Sequence, residues 1–177
     1  INFYHNESID DLLNNFLNIL SSNFDSKIIK KIKILQFDLL QKNIILSSPD
    51  ETNIESNFDK LDYMIMENNC PIISRDAEND YRISNILSYE LSKTKSIIII
   101  PIVNGIMSVG VVRLESPEKN YFTTEMLRFT DYLTNLMFTN FQNILLYKKS
   151  VELAETDGLT NLYKRWYFDN SIKIEIT

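Results

Sequence analysis

The stretch SIIIIPIVNGIMSVGVVRL, residues 96–114, decides the fold. Two apolar, β-branched runs, 96–103 and 106–114, flank Asn104-Gly105. That dipeptide suits the positive backbone angles of a tight hairpin loop, so the stretch reads as an antiparallel hairpin with its turn at Asn104-Gly105. Ile97, Ile98, Ile99 and Ile100 are apolar without alternation, which predicts a strand covered on both faces. Strict alternation along the second strand places Met107, Val109, Val111 and Arg113 on one face.

Downstream, SPEKNY (116–121) is a turn, and a helix starts at Thr123 with Phe122 and Leu127 placed as a hydrophobic staple. No Gly or Pro interrupts it to about Thr156, so it extends about 50 Å, more than a domain of this size needs. Upstream, 71–74 reads as a strand, followed by a loop and a short helix carrying Asp76, Asp80 and Tyr81. FDKLDYMIME (58–67) reads as a short helix ended by Pro71, and 49–57 as a polar loop. The isoleucine-rich 28–48 reads as two strands, 31–38 and 43–48, around a turn at Gln41–Asn43, with a short helix as the alternative for the first piece. In 8–21, Ile9, Leu12, Leu13, Phe16, Leu17 and Leu20 recur at helical spacing behind a Ser8 cap. The order predicts an α+β domain: an antiparallel sheet with helices packed on it and a long C-terminal helix.

Composition narrows the chemistry. A formal charge of -6 and a pI near 4.9 argue against nucleic acid as a partner, because phosphate backbones want a basic face. The single cysteine, Cys70, makes no internal disulfide, and the single histidine, His5, lies outside the predicted core. Histidine-based triads and closed Cys/His zinc sites therefore cannot be built within one chain. With three glycines there is no Gly-rich phosphate loop. No apolar run reaches the length of about 18 residues that a membrane span needs, and no signal peptide is legible, so a cytoplasmic location is expected.

Two stretches resemble known families. DGLTNLYKRWYFD, 157–169, resembles the opening signature of GGDEF domains: Asp157, Leu159, Thr160, Leu162, Arg165 and Phe168 match, while Asn161, Lys164 and Trp166 depart from it. The resemblance implies a parent diguanylate cyclase that condenses two GTP into cyclic di-GMP with Mg2+. That family's metal-binding aspartates and its signature loop lie downstream of the matched stretch, so no catalytic residue, metal ligand or cofactor is expected in this fragment. Residues 8–155 resemble a GAF domain: CPIISRDAENDY (70–81), SIIIIPIVNGIMSVGVVRLES (96–116) and FTTEMLRFTDYLTNLMF (122–138) follow that family's strand and loop, hairpin and final helix. The implied division is a GAF sensor over 1–145, a helical linker over 146–156 and a truncated GGDEF N-terminus over 157–177.

GAF domains hold small ligands between one sheet face and the loops above it. By position in that pattern, the ligand-binding candidates are Leu61, Asp62, Asp76, Tyr81, Thr94 and Arg113. An arginine on the hairpin suits a phosphate or carboxylate; the plainer alternative has Arg113 snorkelling to solvent. Asp76 equally suits a turn cap and Tyr81 plain packing. GAF domains take cyclic nucleotides, bilins, haem and small metabolites; Cys70 lies outside the loops that carry bilins and haem finds no internal histidine, while nothing excludes a cyclic nucleotide, so with Thr94 and Arg113 at pocket positions cAMP or cGMP is the candidate ligand. The alternative function is a ligand-free dimerisation module that positions cyclase domains. Met137, Ile144 and Val151, with Leu133, Tyr147 and Ala154, recur every seven residues, so a homodimer through the long helix is expected, with Asn140 interrupting the seam.

Overall fold

A computed structural model describes residues 8–35, 44–48, 58–84, 86 and 94–155, with the backbone alone for 44–48. Helix α1 spans Ile9–Asn23. Ser8 caps it: its hydroxyl accepts from the Asp11 N–H while Asp11 accepts from the Ser8 N–H, a reciprocal capping box. Strands β1 (Ile29–Ile34) and β2 (Ile44–Ser48) follow, with Lys30 opposite Ser48 and Ile34 opposite Ile44. The expected turn at Gln41–Asn43 lies outside the described residues. Helix α2 spans Lys60–Asn68 behind an Asp59 N-cap. It stops at Asn69, whose φ of 50° is left-handed, rather than at Pro71.

Strand β3 (Ile72–Ser74), β4 (Ser96–Asn104) and β5 (Met107–Ser116) complete a five-stranded antiparallel sheet of order β2-β1-β5-β4-β3. Residues 76–84 form successive turns instead of the expected short helix: Asp76 C=O accepts from Asn79 and Asp80 N–H, and Asp80 C=O accepts from Ile83 and Ser84. Helix α3 runs Thr124–Glu155. Thr123 begins it, its hydroxyl accepting from Met126 N–H, and Phe122 is buried where the staple places it.

The hairpin departs from its sequence reading in two ways. Asn104 pairs with Met107, so the loop is Gly105-Ile106, and Gly105 alone takes a positive φ, 65°. Glycine at the first of two loop positions is the II′ pattern, where Asn-Gly would favour I′. Register then slips by one: Val103 faces Ser108 but Ile102 faces Gly110. Val109 is the extra residue of a bulge, and a bulge breaks alternation. Val109 therefore joins the core under α1 and α3, while Val111 and Arg113 face α2.

Two cores result. Leu12, Leu13, Phe16, Leu17 and Leu20 of α1, with Met137, Phe138, Phe141 and Leu145 of α3, pack on Ile32, Ile98, Ile100 and Leu114. Leu61 and Ile65 of α2, with Ala77 and Ile83, pack on Ile97, Ile99 and Val111. The consecutive isoleucines of β4 supply both faces, as their lack of alternation requires. Thr130 and Thr134, buried on α3, donate to the carbonyls of Met126 and Thr130 and so need no partner outside the helix.

Candidate functional site

The face under α2 is not wholly apolar. Arg113 stands at its centre and is only 1% exposed. Strand pairing sets Lys31 directly opposite Arg113 and Lys33 opposite Val111, so three cationic side chains converge on one face. Three carboxylates meet them. Arg113 Nη1 donates to Asp59 Oδ2 at 2.6 Å and to Asp62 Oδ1 at 3.1 Å, and Nε lies 2.6 Å from Glu115 Oε1. Lys33 Nζ donates to Asp62 Oδ2 at 2.6 Å and sits 5.9 Å from the Phe58 ring centroid. Lys31 Nζ is 3.7 Å from Glu115 Oε1, and the Thr94 hydroxyl donates to Glu115 Oε2 at 3.1 Å.

The local sequence explains how α2 delivers its carboxylates. Asp59 is the N-cap and Asp62 the third helical residue, so each already accepts an orphan N–H of the helix start: Asp62 N–H to Asp59 Oδ1 and Asp59 N–H to Asp62 Oδ2. The same two groups then face down onto Arg113. At the other end the Ser108 hydroxyl of β5 donates to Asn69 Oδ1, so α2 is tied to β5 at both ends. Burial by itself would lower the Arg113 pKa, but Glu115, Asp59 and Asp62 outweigh it and hold it raised. Burial likewise pushes Asp59 up, and the adjacent Arg113 and the Asp62 N–H more than offset it, leaving Asp59 below the usual carboxylate range. Among the described residues, three cations here meet three carboxylates.

Four of the six sequence candidates converge here: Leu61 in the apolar core beside the cluster, and Asp62, Thr94 and Arg113 within it. Arg113 does not snorkel to solvent. The other two lie elsewhere. Tyr81 is 85% exposed. Asp76 accepts from Lys119 Nζ at 2.9 Å, in a surface group with Glu78 and Lys95. Sequence reading missed Lys31, Lys33, Asp59 and Glu115. Asp59 and Asp62 were detectable as a capping pair, i and i+3; the lysines were not, because which face a strand turns to α2 depends on register.

Cys70 is exposed and outside the cluster. Among the described residues, no His, Cys, Asp and Glu group could hold a metal ion, and no helix is long and apolar enough to cross a membrane.

No protein-family model matches the chain, and no curated protein does. Solved structures do. The GAF domain of a two-component sensor histidine kinase from Bacillus halodurans aligns with a TM-score of 0.59 at 20% identity, over 80% of this chain and 98% of that one. A GAF domain/HD domain protein from Geobacter sulfurreducens gives 0.59 at 11% identity, over 78% and 95%. A type II free methionine-R-sulfoxide reductase from Thermoplasma acidophilum gives 0.58 at 15% identity, over 75% and 91%. The chain has the α+β fold of GAF domains. One scaffold carrying a sensor domain in one neighbour and a reductase in another means that the fold alone does not choose the chemistry.

Proposed function

We propose that the chain is a regulatory sensor domain that takes a small ligand between α2 and the sheet and passes the signal along α3. The observation that carries this reading is the buried ion cluster tying the start of α2 to β1 and β5. Apolar side chains of similar volume would hold α2 at least as well, because removing charges from water is costly. A polar cluster under a short covering helix is suited to exchanging partners. The ligand we assign is a cyclic nucleotide, cAMP or cGMP, and the output is the diguanylate cyclase whose opening signature 157–169 resembles, acting on GTP with Mg2+. Residues 157–169 lie outside the described residues and enter through sequence alone.

Two features support signalling rather than catalysis. The only cysteine is exposed and away from the cluster, so no thiol faces the site as reduction of a sulfoxide would require; one thiol also cannot close an intramolecular disulfide. Helix α3 continues past its last buried core residue, Leu145, with Leu146, Tyr147 and Leu153 exposed. That exposed apolar stretch favours a second reading, a ligand-free homodimerisation module that only spaces two cyclase domains. Thermal melting of the chain separates the two. A cyclic nucleotide at 100 times its Kd stabilises the fold by about 2.7 kcal/mol, several degrees in Tm. No shift with millimolar cAMP or cGMP removes the ligand and leaves the spacer reading.

A further inference from the structure

The Arg113–Glu115 pair holds hydrogen-bonding capacity that the protein leaves unused. Arg113 Nε and Nη2 are buried with no acceptor in hydrogen-bonding geometry, and Glu115 Oε1 is buried and accepts no hydrogen bond. Nε and Oε1 are 2.6 Å apart, so the charges attract, but the N–H does not point along the contact. Nε and Nη2 form one edge of the guanidinium: two parallel donors that match two acceptors side by side. A native protein rarely leaves such buried groups unmet.

Charge decides what chemistry meets them. Among the described residues, Lys31, Lys33 and Arg113 are matched in number by Asp59, Asp62 and Glu115. An arriving anion meets three carboxylates and leaves a net buried charge, whereas a neutral planar group does neither. We propose that the Arg113 Nε/Nη2 edge and Glu115 Oε1 are a subsite for a neutral heterocycle edge with two adjacent acceptors beside a donor. Among nucleobases guanine has that form: O6 and N7 accept from the arginine fork, and N1–H donates to the carboxylate. Adenine offers N7 but sets its amino group, a donor, against the fork. The ligand's phosphate stays outside the cluster, and Asp59, whose side chain is 35% exposed, is the partner of Arg113 that moves to admit the base.

This inference rests on the reading that the α2 face takes a ligand, and the test separates the two. The 177-residue chain is titrated calorimetrically with cGMP, cAMP, guanosine and inorganic phosphate, and the Arg113 Nε–H resonance is followed in arginine-labelled protein. We expect cGMP and guanosine to bind within about threefold of each other, both at least tenfold tighter than cAMP, each shifting the Arg113 signal, with phosphate silent. Arg113→Lys keeps the charge and loses the fork; where circular dichroism shows it folded, the preference for guanine disappears. Equal binding of cAMP, protection by phosphate alone, or binding that leaves the Arg113 resonance unmoved overturns the subsite while the sensing reading stands. A crystal soaked in cGMP that shows only an ordered water on these atoms overturns it as well. Silence across all four probes overturns both.

Discussion

Arg113 shows how one side chain ties strand, helix and charge together. Its guanidinium is the only cation shared by Asp59, Asp62 and Glu115 among the described contacts. Arg113→Ala leaves buried Asp62 with Lys33 alone and buried Glu115 with only the more distant Lys31, and we expect a loss of about 3 kcal/mol in denaturant unfolding. Arg113→Met combined with Asp62→Leu removes charge from both sides, and its loss should be clearly smaller; an equal loss would show that the deficit is packing rather than stranded charge. Asp80 makes a different case at the surface. Its hydrogen bonds from Arg82, at 2.9 Å and 2.6 Å, hold its pKa at about 2, against an ordinary 3.8. A depressed folded pKa stabilises above the unfolded value and loses that contribution as pH falls from about 4 through 2. With Arg82 largely exposed the effect is screened to roughly 1 kcal/mol. Asp80→Asn should therefore cost about that much at pH 7 and progressively less as pH falls from about 4 through 2 in urea melts.

At the scale of elements, the hairpin carries the geometry of the site. The bulge at Val109 rotates the rest of β5 so that Val111 and Arg113 turn to α2. Gly110 makes the bulge possible. A Cβ there would press into the Lys33 carbonyl oxygen and lie 3.0 Å from Ile34 Cα, both backbone atoms of β1. Gly105 needs its glycine for another reason: its φ is 65°, but the space around it is open. Gly110→Ala must part β1 from β5 and displace Lys33 from Asp62, costing about 1–3 kcal/mol or more. Gly105→Asn meets open space but strains the positive φ, and should cost about 1 kcal/mol, less than Gly110→Ala. The two variants compared by thermal melting check the assignment, and the reverse order would mean that the register is wrong.

On the scale of the whole molecule, α3 is part of the core and, in the function proposed, the lever. The expected heptad seam does not stay whole: Leu133 and Met137 are buried in the domain's own core, Ile144 packs against it, and Asn140 donates to the Leu136 carbonyl of its own helix. Among the described residues, the large apolar side chains that α3 leaves exposed are Phe129, Tyr132, Leu146, Tyr147 and Leu153. Tyr132, Leu146 and Leu153 fall on a single seven-residue register, and if the proposed homodimer forms, this register would be its better seam. A shallow apolar cleft lined by Leu12, Phe16, Ile19, Leu133, Leu136 and Met137 runs between α1 and α3 beside it. In a longer protein carrying the cyclase, deleting four residues between Lys148 and Glu155 turns the output by about 40° and moves it about 6 Å. Cyclic di-GMP production should be lost or locked, while a seven-residue deletion, nearly in phase, is milder. Equal activity in both, or a monomer by light scattering at high concentration, would refute the lever.

Much of this protein was determined by local pattern. The capping box at Ser8, the stripe of α1, the double-sided isoleucines of β4 and the uninterrupted α3 all follow from periodicity and caps, which act between near neighbours in the chain. Asp62, Thr94 and Arg113 were candidates through the resemblance to GAF domains instead, and they meet only when α2 packs on β5. Other features depended on pairing between distant segments. The bulge that separates Val109 from Val111 exists because β1 approaches Gly110, and alternation along β5 alone predicts the opposite. Lys31 and Lys33 face α2 only because their register with β5 is set, and a slip of one residue would turn them to the other core. Tyr81 and Asp76 stay at the surface because the turns after β3 close on themselves. Whether a charged side chain is buried depends on the partners that folding brings to it, and for Arg113 those partners lie at the start of α2 and on β5 itself.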